Sequence, residues 1–439
     1  MRVTVGRRPG QLVGAGHADR YGSLPPVPGD STTRSTRVAH TWGAGALFIL
    51  CAAAFYWDTT LVSVMTDRLH GNDFGKFYYS TRAFLDGGDM YAPSLATDLK
   101  LDKAPELQFL DMNPPHFHLI VLPLARLELR QAVGVWMGAS VFALILSMLL
   151  IFREIRLDWT PTRLLTIAFG TLGFAGTQAF FLTGQLSMLL LLAMTVCWLD
   201  ARRDRWSSVG VWLGVCLSIK PFLLILIPYL LGTRRFRAVA FTLATALACF
   251  LAGLLIFGAE AHISWYRAIS QSGDWAWTPM NASALGFFRR AFGETPYFAP
   301  LVSAPGVVPL WMVAAGLVGA FSLAVAILDR TPLAVDRAFA LLLVAAVLIS
   351  PLGWIYYLWL PAGPIAALVW RPKDGPDRGP RSDRILAVPV IVGLMWPLVF
   401  LYVFQPRPWA TLLVGSIYFL STACLWLWLL LDGVRSRRA

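Results

Sequence analysis

Charged residues are scarce in this chain, since Asp, Glu, Lys and Arg make up only 14% of its 439 residues. A soluble domain carries about 25%. Hydrophobic residues reach 57%, which excludes an ordinary soluble domain. Apolar runs recur from Thr41 to Asp432. Many of them have the roughly 20 residues that a helix needs to cross a hydrocarbon core of about 30 Å. The composition therefore indicates a membrane protein.

Several other features are missing. The apolar runs do not alternate with a period of two, which favours helices over strands, and no internal repeat is visible. The sequence contains no metal-ligand spacing, nucleophile elbow, phosphate-binding loop or dinucleotide fingerprint, so we expect neither a metal nor a cofactor. Cysteines are few and lie within apolar runs, which excludes a disulfide framework in the loops. They are Cys51, Cys197, Cys216, Cys249 and Cys424.

The ends of the chain are polar. Residues 1–40 are rich in Gly, Pro, Ser and Arg, and we expect a disordered cytoplasmic segment there. They are too polar for a signal peptide, so the first apolar run acts as an uncleaved anchor. Residues 41–432 are predicted to form one transmembrane domain, with 371–384 as a cytoplasmic linker and 433–439 as a cytoplasmic tail.

The net charge of +12 is distributed unevenly about the predicted spans. These are 41–62, 131–152, 162–181, 184–200, 207–219, 221–231, 235–258, 306–328, 334–350, 354–370, 385–404 and 409–432. The side of the membrane with both termini holds 25 of the 37 Lys and Arg residues and 12 of the 25 Asp and Glu residues, and is therefore strongly positive. This is the positive-inside asymmetry of a membrane protein, and it removes the reason to expect nucleic-acid binding. We predict about 12 spans (10–12) with both termini in the cytoplasm.

One stretch tests this topology. Residues 207–231 join two basic loops, so a single crossing would place one of those loops on the wrong side. Lys220-Pro221 interrupts the stretch, and proline breaks helices. We therefore predict two short half-spans that meet at Lys220, in a polar cavity that opens outward.

Polar residues gather on the opposite, outer side, in the large first loop 63–116 and in loop 259–305. Ionisable groups at membrane depth are functional candidates. Lys220 either snorkels from a helix end or binds an anion such as phosphate. Asp73 is either a solvated loop carboxylate or, close to the membrane surface, a general base for a hydroxyl. Trp354 is either an interface aromatic or a platform for a sugar ring.

Several motifs in a fixed order resemble glycosyltransferase family 87. These are membrane enzymes of the GT-C class that use polyprenyl-phosphate sugars as donors. The resemblance runs from about Gly71 to Pro364 and is fairly specific as a set. The motifs are Asn72-Asp73-Phe74, Asn113-Pro114-Pro115, Gly184-Gln185-Leu186-Ser187, Lys220-Pro221, Asn281-Ala282-Ser283 with Arg289, and Ser350-Pro351-Leu352-Gly353-Trp354.

The resemblance implies a role for each matched residue. Asp73 corresponds to the catalytic base, and Lys220 and Arg289 correspond to basic positions suited to the donor phosphate. The expected substrate cavity contains Asn113, Gln185, Asn281, Trp354 and Tyr356. The implied fold is an all-α GT-C transmembrane protein in a bacterial inner membrane, with its active site on the periplasmic face. The implied reaction moves a mannose-like hexose or a pentose, with inversion, to a glycan or glycolipid acceptor.

One position departs from the family pattern. Mycobacterial members usually carry a histidine pair where this chain has Tyr356-Tyr357. Tyrosine can donate a hydrogen bond to phosphate or sugar, but a pKa of about 10 makes it a poor proton shuttle. Two alternatives to the enzyme stay open. One is a transporter or flippase for a lipid-linked sugar, because broken helices and charges at membrane depth suit transport as well. The other, which the tyrosine pair leaves open, is a catalytically inactive protein that binds the polyprenyl-phosphate sugar.

Overall fold

The computed structural model describes residues 72–93, 109–370, 382–402 and 407–436, together with Gly45, Ala46 and Leu50. Within these ranges the regular secondary structure is helical, apart from an isolated β-bridge between Asn281 and Trp354. The prediction of an all-α protein is therefore confirmed for this part of the chain. The predicted N-terminal segment, most of the span 41–62, and residues 371–381 of the linker lie outside the described residues.

The described residues form fifteen α-helices. They are α1 (Asp73–Leu85), α2 (Leu129–Glu154), α3 (Pro161–Gly173), α4 (Ala175–Thr183), α5 (Ser187–Arg202), α6 (Trp206–Ile219), α7 (Leu226–Gly232), α8 (Phe236–Ser270), α9 (Ala284–Phe292), α10 (Val307–Leu328), α11 (Ala334–Ile349), α12 (Ala362–Val369), α13 (Ser382–Leu394), α14 (Pro408–Leu413) and α15 (Ile417–Ser436). Short 3₁₀ turns over Pro115–Leu119, Pro221–Ile225 and Ile355–Trp359 shape the site.

Four described helices are long and apolar enough to cross a membrane, namely α2, α8, α10 and α15. The pair α3 and α4 passes the same test as one span bent by 52°. The protein is therefore membrane-embedded. Elsewhere the predicted spans coincide with shorter helices or with pairs broken by a turn, so the count of 10–12 stays a prediction.

Three of the basic turns on the side that the charge asymmetry predicts to be cytoplasmic lie together. Arg202 and Arg203 both pair with Glu154 at the end of α2, and Arg235 at the start of α8 pairs with Asp204 before α6. These contacts bring the ends of four helices to one end of the molecule. The polar turns predicted for the outer side cannot lie there, because the same helices separate them from it.

The predicted break at Lys220 is confirmed. Helix α6 ends at Ile219, Lys220 is non-helical (φ −130°, ψ 89°), and the 3₁₀ turn Pro221–Ile225 follows. The 14 residues of α6 span about 21 Å, which is less than a hydrocarbon core of about 30 Å. A helix of this length that starts at one membrane surface would end within the hydrocarbon core, at Lys220.

Helix α6 packs closely against α8. The two pack closely at Gly210 and Gly214, where a Cβ would lie 2.5 Å from the carbonyl oxygen of Ala238 and 2.7 Å from that of Thr242. Only glycine permits this approach.

Candidate functional site

A cavity of about 1130 Å³ opens where α1, the end of α6, the turn before Trp354 and α10 meet. Its polar lining is Asp73, Lys76, Asn113, Thr183, Gln185, Lys220, Thr278, Ser350, Tyr356 and Tyr357. Aromatic residues cover much of the remaining wall, among them Phe109, Trp265, Trp275, Trp311 and Trp354. The cavity therefore combines one carboxylate and two ammonium groups with surfaces suited to a sugar ring or a lipid.

Asp73 lies in the first turn of α1, where the helix dipole favours a carboxylate. Asn72 begins the helix, and its side chain accepts a hydrogen bond of 2.7 Å from the backbone N–H of Gly75. The carboxylate of Asp73 accepts from Lys76 Nζ at 2.7 Å on one oxygen and from Gln185 Nε2 at 2.8 Å on the other. Both carboxylate oxygens are therefore held in place at the cavity wall.

Gln185 reaches Asp73 because α4 ends in a left-handed residue. Gly184 has φ +66°, and a Cβ there would lie 2.9 Å from the Cβ of Phe74. Its carbonyl oxygen accepts a hydrogen bond of 2.8 Å from Trp136 Nε1. A small residue with a positive φ is therefore required just before Gln185.

Replacing Gly184 with alanine should lower the stability of the protein and displace Gln185. The left-handed conformation costs about 1–2 kcal/mol for a residue with a Cβ, and the contact with Phe74 adds to it. Thermal unfolding in detergent measures the loss. Gly134→Ala in α2, where a Cβ meets nothing within 4 Å, is the matched control. Equal unfolding temperatures for the two variants would contradict this account.

Lys220 faces Asp73 across the cavity. Its Nζ donates a hydrogen bond of 2.8 Å to Asn113 Oδ1 and lies 5.7 Å from the centre of the Tyr357 ring. Neither partner is charged. The ammonium therefore has further N–H groups and a positive charge with which to bind an anionic ligand.

The end of α6 beside Lys220 is fixed by a histidine. His116 Nε2 lies 3.0 Å from the carbonyl oxygen of Ser218, and burial lowers the pKa of His116 to about 4. His116 is therefore neutral at physiological pH and donates to that carbonyl.

Lys76 is the site residue that the sequence analysis missed. Its ammonium pairs with Asp73 and lies 3.5 Å from the centre of the Phe109 ring. A usable signal was present, because residues three apart at the start of a helix share one face. The cavity therefore contains a second cation on the same helix as the carboxylate.

The two tyrosines lie in the 3₁₀ turn Ile355–Trp359 and are buried. Their rings pack edge to face, with centroids 4.8 Å apart. The ring of Trp354 stacks on that of Tyr356, with centroids 6.3 Å apart. Trp354 and Tyr356 thus line the cavity as expected, within reach of the Asp73 cluster.

Asn281 and Arg289 do not line the cavity. Asn281 is fully buried: its amide donates to the carbonyls of Ala276 and Pro351, and its Oδ1 accepts from the N–H groups of Ser283 and Gly353. It holds the turn before Trp354 in place.

Arg289 lies in the last turn of the short helix α9, half-buried and away from the lining. Its neighbour Arg290 is fully buried and donates to the carbonyls of Trp277, Thr278 and Asn281. Neither arginine belongs to the cavity wall. Among the described residues, no three His, Cys, Asp or Glu side chains cluster closely enough to hold a metal ion.

Comparisons with known proteins agree with the resemblance. The sequence profile of glycosyltransferase family 87 matches residues 111–351. Two curated relatives, from Mycobacterium tuberculosis and Mycolicibacterium smegmatis, carry the name polyprenol-phosphate-mannose-dependent alpha-(1-2)-phosphatidylinositol pentamannoside mannosyltransferase. The first is 33% identical over 54% of this chain, and the second is 25% identical over 73%. The chain spans 54% of the first relative's length and 77% of the second's. No solved structure matches the chain.

Proposed function

The chain belongs to glycosyltransferase family 87, whose profile matches more than half of it, and from this membership we propose that it transfers a sugar from a polyprenyl-monophosphate donor to an acceptor hydroxyl. The names of both relatives specify polyprenol-phosphate mannose, so mannose is the first candidate sugar. The observation that carries the proposal is the cavity in which the carboxylate of Asp73 and the ammonium of Lys220 face the same space.

Asp73 is the proposed general base. The acceptor oxygen attacks the anomeric carbon as its proton passes to the carboxylate, while the bond from that carbon to the phosphate oxygen breaks. Attack opposite the leaving group inverts the anomeric centre. Lys76 and Gln185 hold the carboxylate at the wall, which keeps its orientation fixed without enclosing it.

The leaving group is a phosphate monoester, which needs neutralisation of charge more than protonation. Lys220 supplies a cation whose protein partner, Asn113, is neutral. Lys76 is the second cation in the cavity, and we propose that it binds the donor phosphate in place of Arg289.

The polyprenyl chain is proposed to leave along α10. That side of the cavity is lined by the small residues Ala315, Gly316, Gly319 and Ala320 and is closed by Leu224 and Leu323. A Cβ at Gly316 or Gly319 would meet nothing within 4 Å, so the surface is open along about one helical turn. An apolar chain fits this end, while its phosphate reaches the lysines.

A larger side chain in this groove should weaken the binding of donors with a long polyprenyl chain and leave that of short-chain donors unchanged. Gly319→Leu adds a side chain on the proposed path, and such overpacking costs about 1–3 kcal/mol, or roughly tenfold in affinity. We expect weaker binding of decaprenyl monophosphate but unchanged binding of a short-chain analogue, measured in nanodiscs. Gly134→Leu on the exposed face of α2 is the control. Equal losses for both chain lengths would show that the chain does not lie there.

The acceptor is proposed to be a glycan or glycolipid, reached from the periplasmic face. The cavity lies away from the arginine-rich end that the charge asymmetry assigns to the cytoplasm.

A transfer assay tests the proposal. Purified protein in nanodiscs meets radiolabelled polyprenyl-phosphate mannose and a lipid extract of the source cells. Label that enters a new product with the wild type, but not with Asp73→Asn, supports the enzyme. Donor binding without transfer would identify the inactive binder, and movement of intact donor across a vesicle membrane would identify a transporter.

A further inference from the structure

A buried polar cluster lies directly behind the cavity wall. Asp111, His118 and Thr81 are 2%, 0% and 0% exposed, and none of them lines the cavity. The mechanism above uses none of them. Burying a polar side chain destabilises the folded protein unless the side chain is hydrogen-bonded, so we expect this cluster to have a specific role.

Asp111 fixes the direction of the Asn113 side chain. Its Oδ1 accepts from the backbone N–H of Asn113 at 2.9 Å and from Asn113 Nδ2 at 2.9 Å. An ionised carboxylate can only accept hydrogen bonds. The NH₂ group of Asn113 must therefore face Asp111, which leaves its Oδ1 facing Lys220 Nζ at 2.8 Å.

His118 lies beside the other oxygen of the carboxylate. Its Nε2 lies 3.3 Å from Asp111 Oδ2, and its Nδ1 lies 2.7 Å from Thr81 Oγ1. Burial lowers the pKa of His118, and the neighbouring carboxylate of Asp111 opposes that shift. The Thr81 hydroxyl donates to the carbonyl oxygen of Phe77 at 2.7 Å, so its oxygen is left to accept from His118 Nδ1. Among the described residues Asp111 Oδ2 has no hydrogen-bond partner, so Asn113 is the residue to which the carboxylate is bound.

We propose that Asp111 is a positioning residue that orients the Asn113 amide, so that Lys220 is held by a single hydrogen bond and presents its remaining N–H groups to the donor phosphate. This inference rests on the proposed function. The opposite amide orientation would turn an NH₂ group toward the ammonium and push Lys220 away. The direction of one hydrogen bond behind the wall thereby sets where the cation lies.

Two substitutions at position 111 separate this role from a structural one. Both Asp111→Asn and Asp111→Ser can accept the backbone N–H of Asn113 and keep the local turn. Only the asparagine carbonyl reaches as far as the Asn113 side-chain amide, and its own NH₂ then faces Nε2 of the His118 ring. We expect Asp111→Asn to stay near the wild-type affinity and Asp111→Ser to bind about tenfold more weakly.

The matched control is Tyr91→Phe. The Tyr91 hydroxyl donates to the backbone carbonyl oxygen of Asn113 at 2.7 Å, so its loss disturbs the same loop without touching the amide. Binding of decaprenyl monophosphate is measured for each variant, with thermal unfolding in parallel. In the transfer assay, Asp111→Ser should raise the donor KM and leave the acceptor KM unchanged.

The outcomes of these measurements distinguish a positioning role for Asp111 from a purely structural one. Unchanged affinity in Asp111→Ser, or an equal loss in Tyr91→Phe, overturns the proposal. If Asp111→Ser does not fold, a folded Asp111→Asn that binds tenfold more weakly also overturns it, because charge rather than hydrogen-bond direction would then matter. A wild type that binds decaprenyl monophosphate without transferring sugar refutes the proposed function only, and the binding series still tests Asp111. A wild type that does not bind it refutes both.

Discussion

Asp73→Asn should turn over about 1000-fold more slowly than the wild type, because an amide cannot take the proton of the acceptor hydroxyl. The substitution keeps the shape of the side chain, and an amide oxygen can still accept from Lys76. Folding and binding of decaprenyl monophosphate should therefore change little. Initial rates at saturating donor and acceptor isolate the chemical step.

Asp86→Asn at the exposed end of the same helix serves as the control for this prediction. Asp86 lies far from the cavity lining and contacts only Arg82, at 3.5 Å, among the basic residues described. It should retain full activity. An Asp73→Asn enzyme as fast as the wild type would exclude Asp73 as the base, whatever its place in the cavity.

Lys220→Met should weaken donor binding by about 10- to 100-fold. A hydrogen bond to a charged group contributes about 1.5–3 kcal/mol, and the phosphate would lose both that bond and the positive charge of Lys220. Methionine keeps much of the length and the apolar stem, so the packing against Tyr357 should survive. Titration with decaprenyl monophosphate measures the change directly.

Arg267→Met, at an exposed position on α8, is the control for loss of a positive charge on the same side. Arg289→Met is the informative third variant, because the family pattern pointed to Arg289 whereas the structure places it off the lining. We expect near wild-type donor affinity for both. A loss in Arg289→Met as large as in Lys220→Met would return that residue to the phosphate site.

Lys220 and Asp73 could be proposed from the sequence itself because they are ionisable and lie at or near the membrane, whereas Asn113 and Gln185 followed from the resemblance to family 87. Asp73, Asn113, Gln185 and Lys220 come from four separate stretches of the chain and line one cavity. The break at Lys220 followed from proline chemistry and from the need to keep basic loops on one side.

The sequence could not show in which direction a matched side chain points. Arg289 and Arg290 are neighbours about 100° apart around α9, and only the fold decides that Arg290 turns inward to backbone carbonyls. Asn281 likewise looks like a cavity residue until the turn ending at Trp354 packs against it. Lys76 was not predicted as a site residue because it faces Asp73 only when residues 73–85 form a helix, and the sequence analysis predicts a loop there.

The number of spans is hard to predict for a related reason. Hydropathy marks apolar residues but not where a helix bends, and α3 and α4 are one apolar run divided by a 52° bend. In α8, Gly258 (φ +79°) interrupts the helical conformation within another long run.

The pairing of Lys76 with Asp73 has a kinetic consequence. Both oxygens of the Asp73 carboxylate are engaged, one by the Lys76 ammonium at 2.7 Å and the other by Gln185 at 2.8 Å. If Asp73 is the base we propose, a donor phosphate that draws Lys76 toward itself would free one of those oxygens for the acceptor hydroxyl. Access to the proposed base would then depend on donor occupancy, which favours an ordered sequence with the donor first. Water that entered before the donor would meet a carboxylate with neither oxygen free.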